Sequence, residues 1–181
     1  MADKERLEEL ISLLKDGRME FFDEFYYETK NNVYYTIIAI LKDQSLAEDI
    51  MQDTYLKILD SLSMYKENTN PFAWIITIAR NLSLNEYNKR KREVYVDEYE
   101  QEEVYGSVER VKDEEHTLMQ TMYEVLNPKE IEIVVMRIVH DMTHKEIAQV
   151  VKKPLGTVLW IYNNALKKIK KKVGDEDEKD N

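Results

Sequence analysis

Residues 47–93, AEDIMQDTYLKILDSLSMYKENTNPFAWIITIARNLSLNEYNKRKRE, constrain the chain more than any other segment. An amphipathic helical pattern is followed by a short polar loop, and a second helix then ends in a run of cations. In the first helix, starting near Ser45, Met51, Tyr55, Ile58, Leu59 and Leu62 are spaced as a core stripe. Another face carries Asp49, Gln52, Asp53 and Leu56 at i, i+3, i+4 and i+7. Such a stripe is most often merely solvated, but it would equally suit docking on a basic helix of another protein. The second helix opens at Asn70-Pro71, an N-cap residue followed by proline at the first helical position. Ile75, Ala79 and Leu82 point into a core, while Trp74, Thr77, Asn81, Asn85 and Asn88 share a different face. Asparagine is a poor helix-interior residue, so three on one face call for a reason. Asn amides bond to base edges, an indole stacks on an unpaired base, and Lys89, Arg90, Lys91 and Arg92 suit phosphates.

The remainder of the chain predicts the same class of structure. Only four glycines and three prolines occur in 181 residues, and Leu, Ile, Lys and Glu recur at helical spacing, so the expectation is an all-α chain. Leu7, Leu10, Ile11 and Leu14 mark a first helix over 5–14, and an aromatic cluster (Phe21, Phe22, Phe25, Tyr26, Tyr27) opens a core-building helix over 19–41. Past residue 118, Asn127-Pro128 begins a helix carrying Ile131, Val134, Val135 and Ile138. Thr143 and Glu146 form a capping box for a short helix through Ile147, Ala148 and Val151. After Lys152-Lys153-Pro154, a longer helix runs from Leu155 through Lys172 on Val158, Tyr162, Ala165 and Ile169. Short helix, tight turn and longer helix spell a helix-turn-helix, whose second helix normally enters the major groove of DNA.

The net charge of −10 is unsuited to a DNA binder until it is divided along the chain. Residues 1–92 carry about −3, residues 93–117 about −8, residues 118–174 about +5 and residues 175–181 about −4. Acid is gathered in a connector and a tail, and base at two helix ends. Two helical domains, 1–92 and 118–174, are therefore expected around an acidic linker, 93–117, with a disordered acidic tail, 175–181. Without cysteine there is no disulfide or thiolate site, and His116, His140 and His144 have no metal-ligand spacing, so no metal or cofactor is expected. The N-terminal MADKERLEEL lacks an apolar leader and no apolar run reaches spanning length. A cytoplasmic protein without membrane insertion is expected.

Taken in order, these blocks resemble bacterial sigma factors of the small extracytoplasmic-function (ECF) type, over residues 15–173. AEDIMQDTYLKIL is similar to the family's region 2.2, NPFAWIITIARNLSLNEYNKRKRE to regions 2.3 and 2.4, and LNPKEIEIVVMRIVHDMTHKEIAQVVKKPLGTVLWIYNNALKKIKKKV to region 4. The length leaves no place for region 1.1 or a region 3 domain, which fits the two-domain ECF group. The resemblance implies a dissociable subunit of RNA polymerase that directs promoter-specific initiation and performs no bond chemistry. It implies that Asp49, Gln52, Asp53 and Leu56 dock on the polymerase β′ coiled coil and that region 4 also touches the β flap. For the minus-ten element it implies Lys66, Asn68, Asn70, Trp74, Arg80, Asn81, Asn85, Asn88, Lys89 and Arg90, with the 63–70 loop pocketing a flipped base. For the minus-thirty-five element it implies Thr143, Lys153, Thr157, Trp160, Asn163 and Lys167. An anti-sigma factor is a further implied partner.

Two departures stand out. Ile75 replaces the second of the tandem tryptophans of primary sigma factors, and the recognition helix begins Leu159, Trp160, Ile161 where family members often carry cations. Those apolar residues suit thymine methyls or a protein partner. Two competing readings remain at this point: a free-standing helix-turn-helix regulator using residues 118–173 alone, and a sigma-like protein that titrates polymerase or an anti-sigma factor.

Overall fold

A computed structural model describes residues 4–96 and 114–177 of the chain, with side chains for 4–92 and 120–174. Among the described residues every regular element is helical, and they fall into two compact units divided between Ser107 and Val108.

The first unit is built from α1 (Lys4–Lys15), α2 (Phe22–Leu41), α3 (Gln44–Ser61) and α4 (Pro71–Val96), with single 3-10 turns at Met19–Phe21 and Leu62–Met64. The one-sided stripe of α1 is buried as its spacing predicts, with Leu7, Leu10, Ile11 and Leu14 inside. Gly17, at φ +81, supplies the left-handed residue that turns the chain out of α1. Two capping side chains set the later helices. Asp43 accepts from the Leu46 N–H, and Asn70 accepts from the Ala73 N–H at 3.0 Å.

α4 packs against α1, α2 and α3, and its inner residues Ile75, Ile76 and Ala79 are fully buried with Ser83. Buried hydroxyls at these crossings donate to the carbonyl one turn back: Thr29 to Phe25, Thr54 to Ile50 and Ser83 to Ala79. Each small side chain thereby finds an acceptor within its own helix, which lets the helices approach closely. Phe25 fills the centre and meets Tyr55 edge-on, and the Tyr55 hydroxyl lies 2.8 Å from that of Thr29. Burial pushes the Tyr55 phenol well above its ordinary pKa. Two details differ from the periodicity. Tyr27 is exposed, under a Lys30 ammonium 4.5 Å from its ring, and the inner face of α3 adds Leu46, Ala47, Ile50 and Thr54, leaving Met51 and Leu59 on its flank.

The second unit comprises α5 (Glu114–Val125), α6 (Pro128–Ile138), α7 (His144–Val151) and α8 (Leu155–Asp177). Both α6 and α7 open with a reciprocal capping box, Asn127 with Glu130 and Thr143 with Glu146. Lys152, at φ +54, ends α7 in the left-handed region and turns the chain into α8. α8 is the spine: α5, α6 and α7 all pack on it.

The structure moves several sequence boundaries. α4 continues through residues 93–96 and α5 begins at 114, so both ends of the expected 93–117 linker are helical; residues 97–113 lie outside the described residues. α8 likewise runs three residues into the expected disordered tail, and 178–181 lie outside the described residues. Glu, Lys and Arg favour helix, so a charged run does not by itself stop one.

Candidate nucleic-acid interface

Asp49, Gln52, Asp53 and Leu56 all lie on the solvent side of α3. Leu56 is 62% exposed although the other leucines of α3, Leu46 and Leu59, are buried or half-buried. Asp49 and Asp53 stand at i and i+4, a like-charge spacing that costs an isolated helix a few tenths of a kcal/mol. Among the described residues neither has an ion-pair partner. A leucine exposed beside two unneutralised carboxylates adds nothing to the fold; it offers an apolar anchor rimmed by negative charge.

The loop from Leu62 to Asn70 has a fixed shape. Tyr65 is buried, and Lys66, Asn68 and Thr69 face solvent, with Asn68 left-handed at φ +59. The Glu8 carboxylate of α1 accepts the Asn68 N–H at 2.5 Å and lies 3.5 Å from the Tyr65 hydroxyl. Thr69 donates to the Lys66 carbonyl at 2.6 Å, and Lys15 reaches Glu67 at 3.3 Å. Burial, above all, raises the Tyr65 phenol pKa. Nothing in the sequence marks Glu8 for this role, because its contacts close over a separation of 60 residues.

Trp74 rises beside this loop with its ring 5.3 Å from that of Tyr65 and one side against the core. It is half-buried, a shelf and not a free wedge. Farther along α4, Asn81, Asn85 and Asn88 are exposed, while Arg80 and Thr77 are half-buried and the Thr77 hydroxyl is spent on the Ala73 carbonyl. The cations at the helix end are exposed, but two are held in ion pairs: Arg90 with Glu86 at 3.2 Å and Asp43 at 3.7 Å, Lys89 with Glu86 at 3.9 Å. Such exposed pairs contribute roughly 0–1 kcal/mol, so exchanging them for phosphates costs little.

In the second unit, Thr143, Thr157, Trp160, Asn163 and Lys167 are exposed and Lys153 is half-exposed. Thr143 is occupied as the N-cap of α7, its hydroxyl 2.8 Å from Glu146. Val158, Ile161 and Ala165 form the inner side of α8, which corrects the sequence reading in two ways. Ile161 is buried and cannot belong to an outward apolar surface, and Tyr162 moves to the flank, 4.8 Å edge-on to His144. Opposite that inner side, Gly156, Trp160, Asn163 and Lys167 fall in one line at i, i+4, i+7 and i+11. Trp160 is 68% exposed. The neighbouring Lys168 is neutralised instead by the buried Glu130, at 2.8 and 2.9 Å.

Among the described residues no group of His, Asp or Glu is placed to hold a metal ion, and no helix is long and apolar enough to cross a membrane.

Comparison with known proteins matches one family region to each unit. The family model of Sigma-70 region 2 matches residues 25–93, and that of Sigma-70, region 4 matches residues 124–171. The ECF RNA polymerase sigma factor BldN of Streptomyces coelicolor is 24% identical over 184 residues, spanning 97% of this chain and 69% of that protein. The ECF RNA polymerase sigma factor SigM of Bacillus subtilis is 31% identical over 74 residues, 41% of this chain and 45% of SigM. The sigma factor RpoE of Bartonella quintana, solved with the anti-sigma factor NepR, shares the fold at a TM-score of 0.69. That likeness has 18% identity and covers 83% of this chain and 94% of RpoE. With region 2 matched over the first unit and region 4 over the second, the chain belongs to the sigma-70 family as an ECF-type sigma factor, a subunit that directs RNA polymerase to promoters.

Proposed function

We propose that the family's tasks are divided among the three surfaces described above. Asp49, Gln52, Asp53 and Leu56 on α3 dock on the β′ coiled coil of core polymerase. Lys66, Asn68 and Asn70 in the loop, with Trp74, Arg80, Asn81, Asn85, Asn88, Lys89 and Arg90 on α4, hold the opened minus-ten element. In the second unit, Lys153, Thr157, Trp160, Asn163 and Lys167 meet the minus-thirty-five duplex, with Thr143 holding the start of α7 beside it. The two domains in this reading end and begin with α4 and α5, at 96 and 114, so the acidic linker expected over 93–117 is shortened at both ends. The protein acts in the cytoplasm as an initiation factor and leaves bond formation to polymerase.

One observation carries most of this reading: the fold leaves Leu56 and two like-charged aspartates exposed on one face of α3 at no benefit to itself. The Glu8-tethered loop supports the minus-ten assignment, because trapping an extruded base requires a surface already in shape to offset a few kcal/mol of unstacking. An anti-sigma factor belongs to the same reading, supported by the RpoE structure with NepR.

The test is run-off transcription by core polymerase with and without the full chain, on a library of promoter fragments. Discrete starts that require the chain are expected, together with loss of those starts in Asp53→Lys. Polymerase binding with no transcript would replace this reading with a titrating sigma-like protein. Duplex binding without polymerase binding would leave a helix-turn-helix regulator.

A further inference from the structure

The outward line of α8 has an unusual chemical content for a helix that reads DNA. From the N-terminal end it presents Gly156, Trp160, Asn163 and Lys167, and α8 contains no arginine at all. Guanine is read chiefly by Arg or Lys paired to its O6 and N7, adenine by Asn or Gln, and thymine by apolar contact with its methyl group. In this line the only cation, Lys167, stands three turns from the start, where a recognition helix has left the base edges for the phosphates. The positions that reach bases offer an indole and a primary amide.

Three observations make DNA, and not a protein, the occupant of this surface. Lys153 precedes the helix, and Lys167, Lys170 and Lys171 follow along it, so the apolar residue is set within positive charge. Within the outward line Trp160 is the one apolar side chain, because Ile161 is buried and the exposed Leu155 and Leu159 lie roughly 100° or more round the helix, on its flank. Around Gly156 the space is open, with nothing within 4 Å of where a Cβ would stand, so the backbone there can approach the groove.

We propose that Trp160 and Asn163 make this chain a reader of A·T base pairs in the minus-thirty-five element, with the Trp160 indole against a thymine methyl and the Asn163 amide on an adjacent adenine. The proposal rests on the reading that the second unit binds the minus-thirty-five duplex. It sets the promoter class without any guanine contact from the outward line.

Holoenzyme assembled from core polymerase and the full chain would be used to select active promoters from a library randomised in the minus-thirty-five element. Each thymine of the selected element would then be replaced by deoxyuridine, which lacks only the methyl. The expected selection is A·T at two neighbouring pairs. One thymine should lose about fourfold in initiation when demethylated, the value of one buried methyl. Trp160→Ala, exposed enough to leave the fold intact, should abolish that sensitivity, and Asn163→Ala should relax the neighbouring adenine.

Equal deoxyuridine losses in wild type and Trp160→Ala, or selection of G·C at both pairs, would overturn the proposal while keeping minus-thirty-five binding. Weaker polymerase affinity in Trp160→Ala with unchanged base preference would make Trp160 a protein contact. A wild-type holoenzyme with no preference anywhere in the element would overturn the duplex reading and this proposal together.

Discussion

α4 and α8 are both long helices with a tryptophan, asparagines and terminal cations, yet the fold uses them differently. α4 is held by three helices along its first half, and its tryptophan is pressed against Tyr65 as a half-buried shelf beside a tethered loop. α8 is held along one side, and its tryptophan stands on the opposite side in solvent. A shelf beside a rigid recess suits bases already out of the helix, because stacking needs a flat surface with one face free. A protruding line of side chains suits a groove, which must be entered. Similar residue types therefore serve two forms of nucleic acid, and the burial of one indole separates them.

The largest effect that would sharpen this contrast lies on neither helix. Asp53→Lys should lower affinity for core polymerase on the order of a hundredfold, since reversing a charge in a complementary interface costs several kcal/mol. Circular dichroism should be unchanged, because Asp53 is exposed. Retained affinity would remove the α3 face from the polymerase interface and leave its exposed leucine unexplained.

Next in size is Glu130→Ala, which strikes the second unit alone. It removes a capping box and leaves the Lys168 ammonium without its carboxylate, for a cost of about 2 kcal/mol to that unit. Denaturant unfolding should show a weakened α6–α8 unit with the first unit unmoved; a loss shared by both would mean that the units do not unfold separately. Glu8→Ala is the counterpart in the first unit. Freeing the Asn68 amide should lower promoter opening about tenfold with polymerase affinity preserved, and Glu8→Gln, which keeps an acceptor oxygen, should restore most of it. Equal loss in both variants would reduce Glu8 to a surface charge.

How legible each surface was depends on the range of the contacts that build it. The inner stripe of α1 and the outer stripe of α3 could be read because each is decided within its own helix, by 3.6-residue spacing. The inner side of α8 could be read only approximately. Ile161 and Tyr162 are adjacent apolar candidates, and His144 on the neighbouring helix decides that the tyrosine takes the flank. The Glu8 tether could not be read at all, being an acidic residue on a solvated helix face until the chain closes. Helix ends in charged sequence escape for a different reason: no apolar period marks where α4 or α8 stops.

Acid should separate the two units as well. His140 is buried in the second unit, and burial lowers its pKa to about 3, against an ordinary value near 6.5. Well above pH 6.5 the imidazole is neutral folded or unfolded and contributes no pH dependence. As the pH falls towards 3, the unfolded chain takes up a proton that the folded one refuses, so stability is lost. The loss should reach on the order of 1 kcal/mol at pH 5.5 and confine itself to the second unit, because all three histidines lie beyond residue 115. Amide exchange should accelerate in α6 and α7 between pH 6.5 and 5, once corrected for intrinsic rates, while α4 stays unchanged.

The smallest effect tests where α8 leaves the bases. Lys167 ends the outward line three turns from Gly156, too far along for base edges in the proposed pose but suited to a phosphate. Lys167→Ala should weaken promoter binding by the holoenzyme uniformly across minus-thirty-five sequences and lower the slope of log affinity against log salt by about one. Lys168→Ala should change that slope less, because its ammonium is already bound by Glu130. If instead Lys167→Ala altered which bases are selected and left the salt slope alone, the lysine would be a base reader. The bases would then be met farther along α8, and Trp160 would have to lie outside the groove.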